Sequence, residues 1–362
     1  MNVLLIVPYN FEKTGGYYLP LTHYDKCLKE NGYSVQYFRL PYHVYRSSEI
    51  RNLKKRLYDN IECGFDVLVA FGLNQCTILT RLIDPRKVEV RCVGIMMDCM
   101  RLHAESVLPY KVGIKLKTRE FLKKIVYTNR EKRCLKMYES TVFVSAVDTE
   151  YVKKFYKKRR GKVFYVPNGM DIPVQSKYVR KNEKSLCLGC LTGFSNDTLN
   201  ENLYPMVRTI FPYISKYLPN IRLVIAGRGC PEKLVQEFQA TKNIEFIGEV
   251  GEIDEFYSQV DIIVSTVRKR CGIINRILEG WAFSKTVIGY KNNFATFIEA
   301  KDGVDYLSAD DKEEFLAVVR SCLTGKYDID LIGKNGRKIV EDYYTWDKCG
   351  KRLLDVINGI ED

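Results

Sequence analysis

Between residues 268 and 289 the chain reads RKRCGIINRILEGWAFSKTVIG. Arg268, Lys269, Arg270 and Arg276 surround Gly272, and Glu279 follows Arg276 by three residues. The apolar run over 261–266 precedes this segment and reads as a buried parallel strand; Lys285 opens a second one. The order is therefore strand, short basic loop, helix from about Ile273, strand. A helix amino terminus beside a glycine and several cations is suited to holding phosphate groups. A carboxylate one turn beyond Arg276, on the same helical face, can accept hydrogen bonds from the two hydroxyls of a ribose. Arg268, Gly272, Ile273, Ile274, Asn275, Arg276 and Glu279 are the candidate binding residues of such a phosphate and ribose site. Spacing alone also describes an ordinary βαβ unit with a solvated basic loop, since charged loops are usually surface.

The elements that must position these residues alternate along the chain. In the first half, strands are expected over 2–8, 34–40, 66–71, 88–97, 140–145 and 162–166. Helices are expected over 19–30, 52–61, 77–83, 114–137 and 148–156. Gly15 and Gly16 are read as a loop at the carboxyl end of the first strand, where the backbone could approach a ligand closely or equally form a plain turn. Asp98 and His103 follow the fourth strand. The second half repeats the pattern, with strands near 185–190, 222–227, 244–248, 261–266 and 285–289. Its helices are expected over 202–217, 232–240, 253–259, 312–323, 331–343 and 346–358. Continuous apolar strands separated by helices predict parallel sheets covered on both faces. The polar stretch 175–184 reads as a linker. The fold class is α/β: two doubly wound Rossmann-like domains, with ligands at the carboxyl ends of the strands and an active site in the cleft between.

Composition narrows the function classes. The chain has 362 residues, 46% of them apolar, enough for two cores. No apolar run reaches membrane-spanning length, and residues 1–8 lack the features of a signal peptide. Twelve cysteines without a secretory signal suggest reduced thiols in the cytoplasm. Cys187 and Cys190 form a lone CxxC on opposite faces of a strand, which points to core packing rather than zinc. With three histidines, His23, His43 and His103, a histidine-rich metal site is not expected. Residues 1–168 hold 31 Lys and Arg against 16 Asp and Glu; the remainder holds 26 against 28. The excess concentrates between Lys111 and Lys162 and includes the run 157–160. It is either a solvated helix face or a contact for an anionic partner such as a membrane surface. No nucleic-acid-binding module accompanies it, so no nucleic-acid partner is expected.

Four motifs carry a resemblance. Residues 166–171, VPNGMD, look like the (I/V)PNG(V)D hinge of the group-1 (family 4) glycosyltransferases. Residues 223–229, LVIAGRG, look like their nucleotide-domain strand ending in G-x-G, and 243–248, NIEFIG, like the strand before their base-binding loop. Residues 344–346, YTW, look like the aromatic motif before their last helix. The family pattern E-x7-E is met by Glu279 but not at Cys271. The segment CGIINRILEGWA instead resembles the G-I-Q-N-K-x-L-E-A-M-A pattern of an exopolysaccharide-associated sub-group. That sub-group also shows Tyr138-Glu139 and Val144-Ser-x-x-Asp148.

The resemblance implies the GT-B fold, with an acceptor-side domain over 1–174, a linker over 175–184, a nucleotide-sugar domain over 185–343 and a last helix, 344–362, crossing back to the first domain. It implies a retaining glycosyltransferase that moves a sugar from a UDP- or GDP-sugar to a glycan or lipid-linked acceptor, in cell-surface polysaccharide or glycoconjugate synthesis. Cations and helix dipoles rather than a metal would stabilise the leaving diphosphate, so no cofactor or metal is expected, and Asp328-Ile-Asp330 is read as a chance DxD. It adds Gly15, Gly16, Gly193, Arg228 and Gly248 to the donor-binding set and makes Asp98 and His103 the catalytic candidates. The family's usual Arg and Lys pair is not evident over 193–202, where Arg268 and Arg276 would replace it. Alternatives are an inactive partner subunit of the same fold, suggested by Cys271, and an epimerase or phosphorylase-like enzyme, disfavoured by the scarcity of histidine. The charge split extends the expectation to peripheral attachment at the inner face of an anionic membrane, with the helix over 114–137 as the contact. The competing expectation is that its apolar stripe packs on the domain's own sheet.

Overall fold

A computed structural model of the chain describes residues 1–9, 15–41, 46–62, 64–174, 185–194 and 203–360. The expected linker over 175–184, most of the stretch 193–202 and His43 lie outside these residues. Two compact units are present: Met1–Gly169 with Cys271–Ile273 and Trp346–Asp362, and Met170–Arg270 with Ile274–Thr345.

The first unit is built on six parallel strands, β1 (Asn2–Pro8), β2 (Ser34–Leu40), β3 (Val67–Phe71), β4 (Arg91–Met97), β5 (Ser140–Phe143) and β6 (Lys162–Tyr165). They lie in the order β2-β1-β3-β4-β5-β6. Six of the seven residues of β1 are buried, because helices cover both faces of the sheet and each face needs its own apolar row. Leu4 and Ile6 point into one core; Val3, Leu5 and Val7 point into the other, as the two-residue strand period requires. The helices are α1 (Gly15–Glu30), α2 (Ser47–Ile61), α3 (Leu73–Leu82), α4 (Met100–Val107), α5 (Ile114–Met137) and α6 (Ala146–Phe155). Gly15 and Gly16 thus open α1 and are not loop residues; the chain turns helical directly after the short segment following β1. Residues 100–107, to which the sequence reading assigned no element, form α4, so His103 sits mid-helix.

The second unit repeats the plan with β7 (Leu186–Leu191), β8 (Ile221–Ala226), β9 (Ile244–Gly248), β10 (Ile262–Ser265), β11 (Thr286–Gly289) and β12 (Leu307–Ser308). Their order is β12-β11-β10-β7-β8-β9, all parallel. Between them run α7 (Phe211–Tyr217), preceded by a π-helical stretch Met206–Ile210, then α8 (Glu232–Gln239), α9 (Ile253–Tyr257), α10 (Asn275–Ala282), α11 (Lys291–Phe294), α12 (Lys312–Leu323) and α13 (Ile329–Tyr343). The DxD pair caps α13: the Asp328 carboxylate accepts from the backbone N–H of Asp330 (3.1 Å) and of Leu331 (2.9 Å).

The last helix, α14 (Trp346–Asn358), belongs to the first unit. Trp346, Leu353, Leu354, Val356 and Ile357 complete the core that β1, β3 and α1 begin. His23 of α1 stacks on Trp346 at 4.2 Å between ring centroids. The two motifs VPNGMD and YTW meet here in backbone terms: Gly169 lies against Trp346 with no room for a side chain, and Met170 N–H donates to Tyr344 O at 2.7 Å.

Candidate donor-binding and catalytic residues

In a doubly wound sheet, ligands collect beyond the carboxyl ends of the strands where the strand order reverses. In the second sheet that point lies between β7 and β10. Gly193 follows β7, and the basic loop 267–270 follows β10. Gly227 N–H donates to Gly248 O at 2.8 Å and Thr192 N–H to Ala226 O at 3.0 Å. Gly193, Arg228 and Gly248 are therefore gathered along neighbouring carboxyl ends. Arg228 lies 3.9 Å from Glu249 with both side chains mostly exposed, an ion pair of small energetic worth. The residues over 195–202 lie outside the described structure.

The basic loop is held from below by two asparagines that sequence reading did not single out. Asn293 is buried; its amide donates to Val267 O at 2.6 Å and its oxygen accepts from Ser265 Oγ at 2.9 Å. Asn292 donates to Lys269 O at 3.4 Å. Arg268 and Lys269 are half-buried and Arg270 is exposed.

Helix α10 starts at Asn275, two residues later than expected, because Gly272 carries a φ of +71° and breaks the helical path. Arg276 and Glu279 occupy one face of it and form an ion pair, with Glu279 also accepting from Tyr257 OH at 3.3 Å. Burial pushes the neighbouring Cys190 thiol up to about 12, against the pull of the Arg276 guanidinium, so Cys190 is a neutral packing group and not a nucleophile. Arg276 thus engages Glu279 rather than standing apart for a phosphate.

In the first unit, Asp98 and Gly272 come together. A side chain at Gly272 would lie 2.5 Å from Asp98 Oδ1, so only glycine fits there on both steric and backbone grounds. Gly272 N–H donates to Asp148 Oδ2 at 2.9 Å, and Cys99 N–H donates to the same oxygen at 3.2 Å. Asp148 is fully buried in the first turn of α6, where the helix dipole favours a carboxylate. Ser145 caps that helix by accepting from Asp148 N–H. The pattern Val144-Ser-x-x-Asp148 was the available signal for this role; its partner, Gly272, lies 124 residues away. Cys271 packs in the core with Cys99 and Leu102, which gives the residue at the family's first glutamate position an apolar environment.

His103 lies in α4, half-buried, one turn after Cys99, whose carbonyl accepts its N–H at 2.9 Å. Nearby, Glu131 is fully buried and accepts from Tyr156 OH at 2.6 Å and from Arg101 N–H at 3.2 Å. Burial raises its carboxyl above the usual range while these donors pull it back. This network braces α4 against α5 and α6. Gly15 and Gly16 stand at the switch point of the first sheet, between β1 and β3.

Residues 188–325 match the family model of the glycosyl transferases group 1. No curated protein sequence matches the chain. Its fold is similar over nearly the whole chain to a glycosyltransferase from Rickettsia africae (TM-score 0.71, 13% identity, 99% of this chain and 98% of that one). It is similar to sucrose-phosphate synthase from Thermosynechococcus elongatus (TM-score 0.70, 13% identity, 99% of each chain). It is also similar to HepE from Anabaena in complex with UDP (TM-score 0.69, 12% identity, 99% of this chain and 100% of that one). Two parallel six-stranded sheets in this arrangement, matched end to end, give the chain the GT-B fold, and within it residues 188–325 carry the group 1 glycosyltransferase match.

Proposed function

We propose that the protein is a retaining glycosyltransferase that takes a sugar from a UDP- or GDP-sugar and passes it to a glycan or lipid-linked acceptor, in cell-surface polysaccharide or glycoconjugate synthesis. The observation that carries this reading is the Arg276–Glu279 pair, set on the helix that follows the switch-point strand β10 inside the group 1 match. Glu279 would accept the ribose hydroxyls and Arg276 would neutralise diphosphate charge as the sugar–phosphate bond breaks. Arg268 and Lys269, on a loop fixed by Asn293, would add to that charge, as preorganised cations stabilise a leaving group without reorganisation. The likeness to HepE, whose structures hold UDP and UDP-glucose, supports a nucleotide-sugar donor. Asp98 and His103 would be the residues that orient the transferred sugar.

The chemistry is expected to run without a metal, because Arg268, Lys269 and Arg276 would supply the positive charge that the leaving diphosphate needs. Donor turnover in excess chelator tests this: full activity is expected, and a complete, metal-reversible loss would overturn it. Thermal-shift measurements with a panel of nucleotides identify the base, since selective binding raises the melting temperature by mass action.

A further inference from the structure

We propose that the outward face of α5 docks the first unit on an anionic lipid bilayer. The helix packs its inner face on α3 and α4, yet Ile114, Phe121, Leu122, Ile125 and Val126 are 44% to 86% exposed. The expectation that the stripe of Leu116, Phe121, Leu122, Ile125 and Val126 packs on the domain's own sheet is thereby overturned, since Leu116 too is 47% exposed. Ile114, Phe121, Leu122, Ile125 and Val126 recur at spacings of three, four and seven, so they form one continuous band over the first half of the helix. Val112, just before it, is 84% exposed. The inner face instead takes the two acidic residues: Glu120 and Glu131 are both buried, and Glu120 is further neutralised by Lys123 at 3.1 Å.

The outer face consequently carries no acidic group: apolar and basic side chains dominate it, with Thr118 and Asn129 as its neutral polar members. Lys115, Arg119 and Arg130 flank the band, and the helix holds nine Lys and Arg in all. A shallow groove beside the band is lined by Lys115, Arg119 and Arg130 together with Leu122 and Val126. A band of this width, flanked by cations and free of acids, fits the interface of an anionic bilayer, where the side chains enter the acyl boundary and the cations meet headgroups. The same charge disfavours a second copy of the chain as occupant, since two such faces repel. The run 157–160 is not part of this face: Arg160 N–H bonds Leu135 O at the far end of α5, about 28 Å along the helix from Leu116. Because α5 leads into the start of β5, its first half lies toward the carboxyl ends of the first sheet, the edge where a ligand is expected. The proposal rests on α5 alone and stands or falls apart from the glycosyl-transfer reading.

Co-sedimentation of the full chain with vesicles of phosphatidylcholine, with and without phosphatidylglycerol, tests it. Binding is expected only to the anionic vesicles and should fade at high salt, as the Debye length shrinks. Each basic side chain near the surface contributes about fivefold in partitioning, so Lys115→Glu with Arg119→Glu should weaken binding roughly 25-fold or more. Leu122→Ser with Ile125→Ser should weaken it at unchanged charge, and both pairs, being exposed, should leave the melting temperature near that of the parent. Absence of binding at low salt, equal binding to neutral vesicles, or indifference to both pairs would overturn the proposal. So would a dimer in sedimentation velocity that Leu122→Ser dissolves, which would assign the face to a second copy.

Discussion

Replacing Glu279 by glutamine separates binding from folding. The ion pair to Arg276 is half exposed on the arginine side, 44%, and more protected on the glutamate side, 17%. Pairs of this exposure are worth about 0.2–1 kcal/mol, and the glutamine oxygen still accepts from Tyr257 OH. Unfolding stability should therefore fall by no more than about 1 kcal/mol. A ribose diol, by contrast, would lose its charged acceptor, at a cost of about 1.5–3 kcal/mol, or roughly ten- to hundredfold in affinity. Arg276→Ala should weaken nucleotide binding over the same range by removing the phosphate partner. The double variant should lose less than the sum of the two, because each single change already breaks the pair that holds both side chains in place. Calorimetric titration with UDP and GDP, beside urea unfolding, reads the two quantities. Unchanged affinity in both variants with the fold intact, or an affinity loss no larger than the stability loss, would refute the assignment.

Asp148→Ala leaves the buried N–H groups of Cys99 and Gly272 without their shared acceptor. At about 1–3 kcal/mol per orphaned donor, urea unfolding should show a loss of roughly 2–6 kcal/mol, and Asp148→Asn, which keeps an acceptor oxygen, a smaller one; a loss under about 1 kcal/mol in the alanine variant would contradict this. Burial lowers the Lys285 ammonium to about 8, partly offset by Asp261 and Asp330. The unfolded chain keeps this proton up to about pH 10.4, so between pH 8 and that value unfolding takes up a proton and the site's contribution to stability rises with pH. Below pH 8 the buried charge costs on the order of 3 kcal/mol. Lys285→Met should flatten that rise in the urea midpoint, and identical pH profiles for parent and variant would refute it.

Much of the fold was legible because the strands are buried on both faces. The run NVLLIVP announces β1 within the chain's own alphabet, and the bounds of β2, α5 and β9 agree with their periodicity. Helix α4 was not legible: MRLHAESV is short, lacks a capping side chain and is held by Arg101 and Glu131 through tertiary contacts. The glycines of residues 15 and 16 read as a turn on propensity, yet the chain after β1 at a switch point requires a helix there. Of the candidate site, the Arg276–Glu279 spacing could be read directly, since three residues on a helix fix a face. The contact of Asp98 with Gly272 could not, because nothing local to either residue reports the other. Periodicity likewise located the band on α5 without saying which way it faces; the burial of Glu120 and Glu131 decides that.

The seating of α14 in the first core has a consequence for how the protein is made. Residues up to 169 emerge from the ribosome as a sheet and helices whose α1 face, with Tyr24 and His23, still lacks Trp346, Leu353 and Ile357. That cover arrives roughly 180 residues later, or about 10–35 s at the usual pace of synthesis. During this interval the amino-terminal half carries an open apolar flank, and the second unit is completed before it. The half made first is thus the half finished last, and a chain truncated shortly before Trp346 should be a client for chaperones even though every strand of both sheets is present.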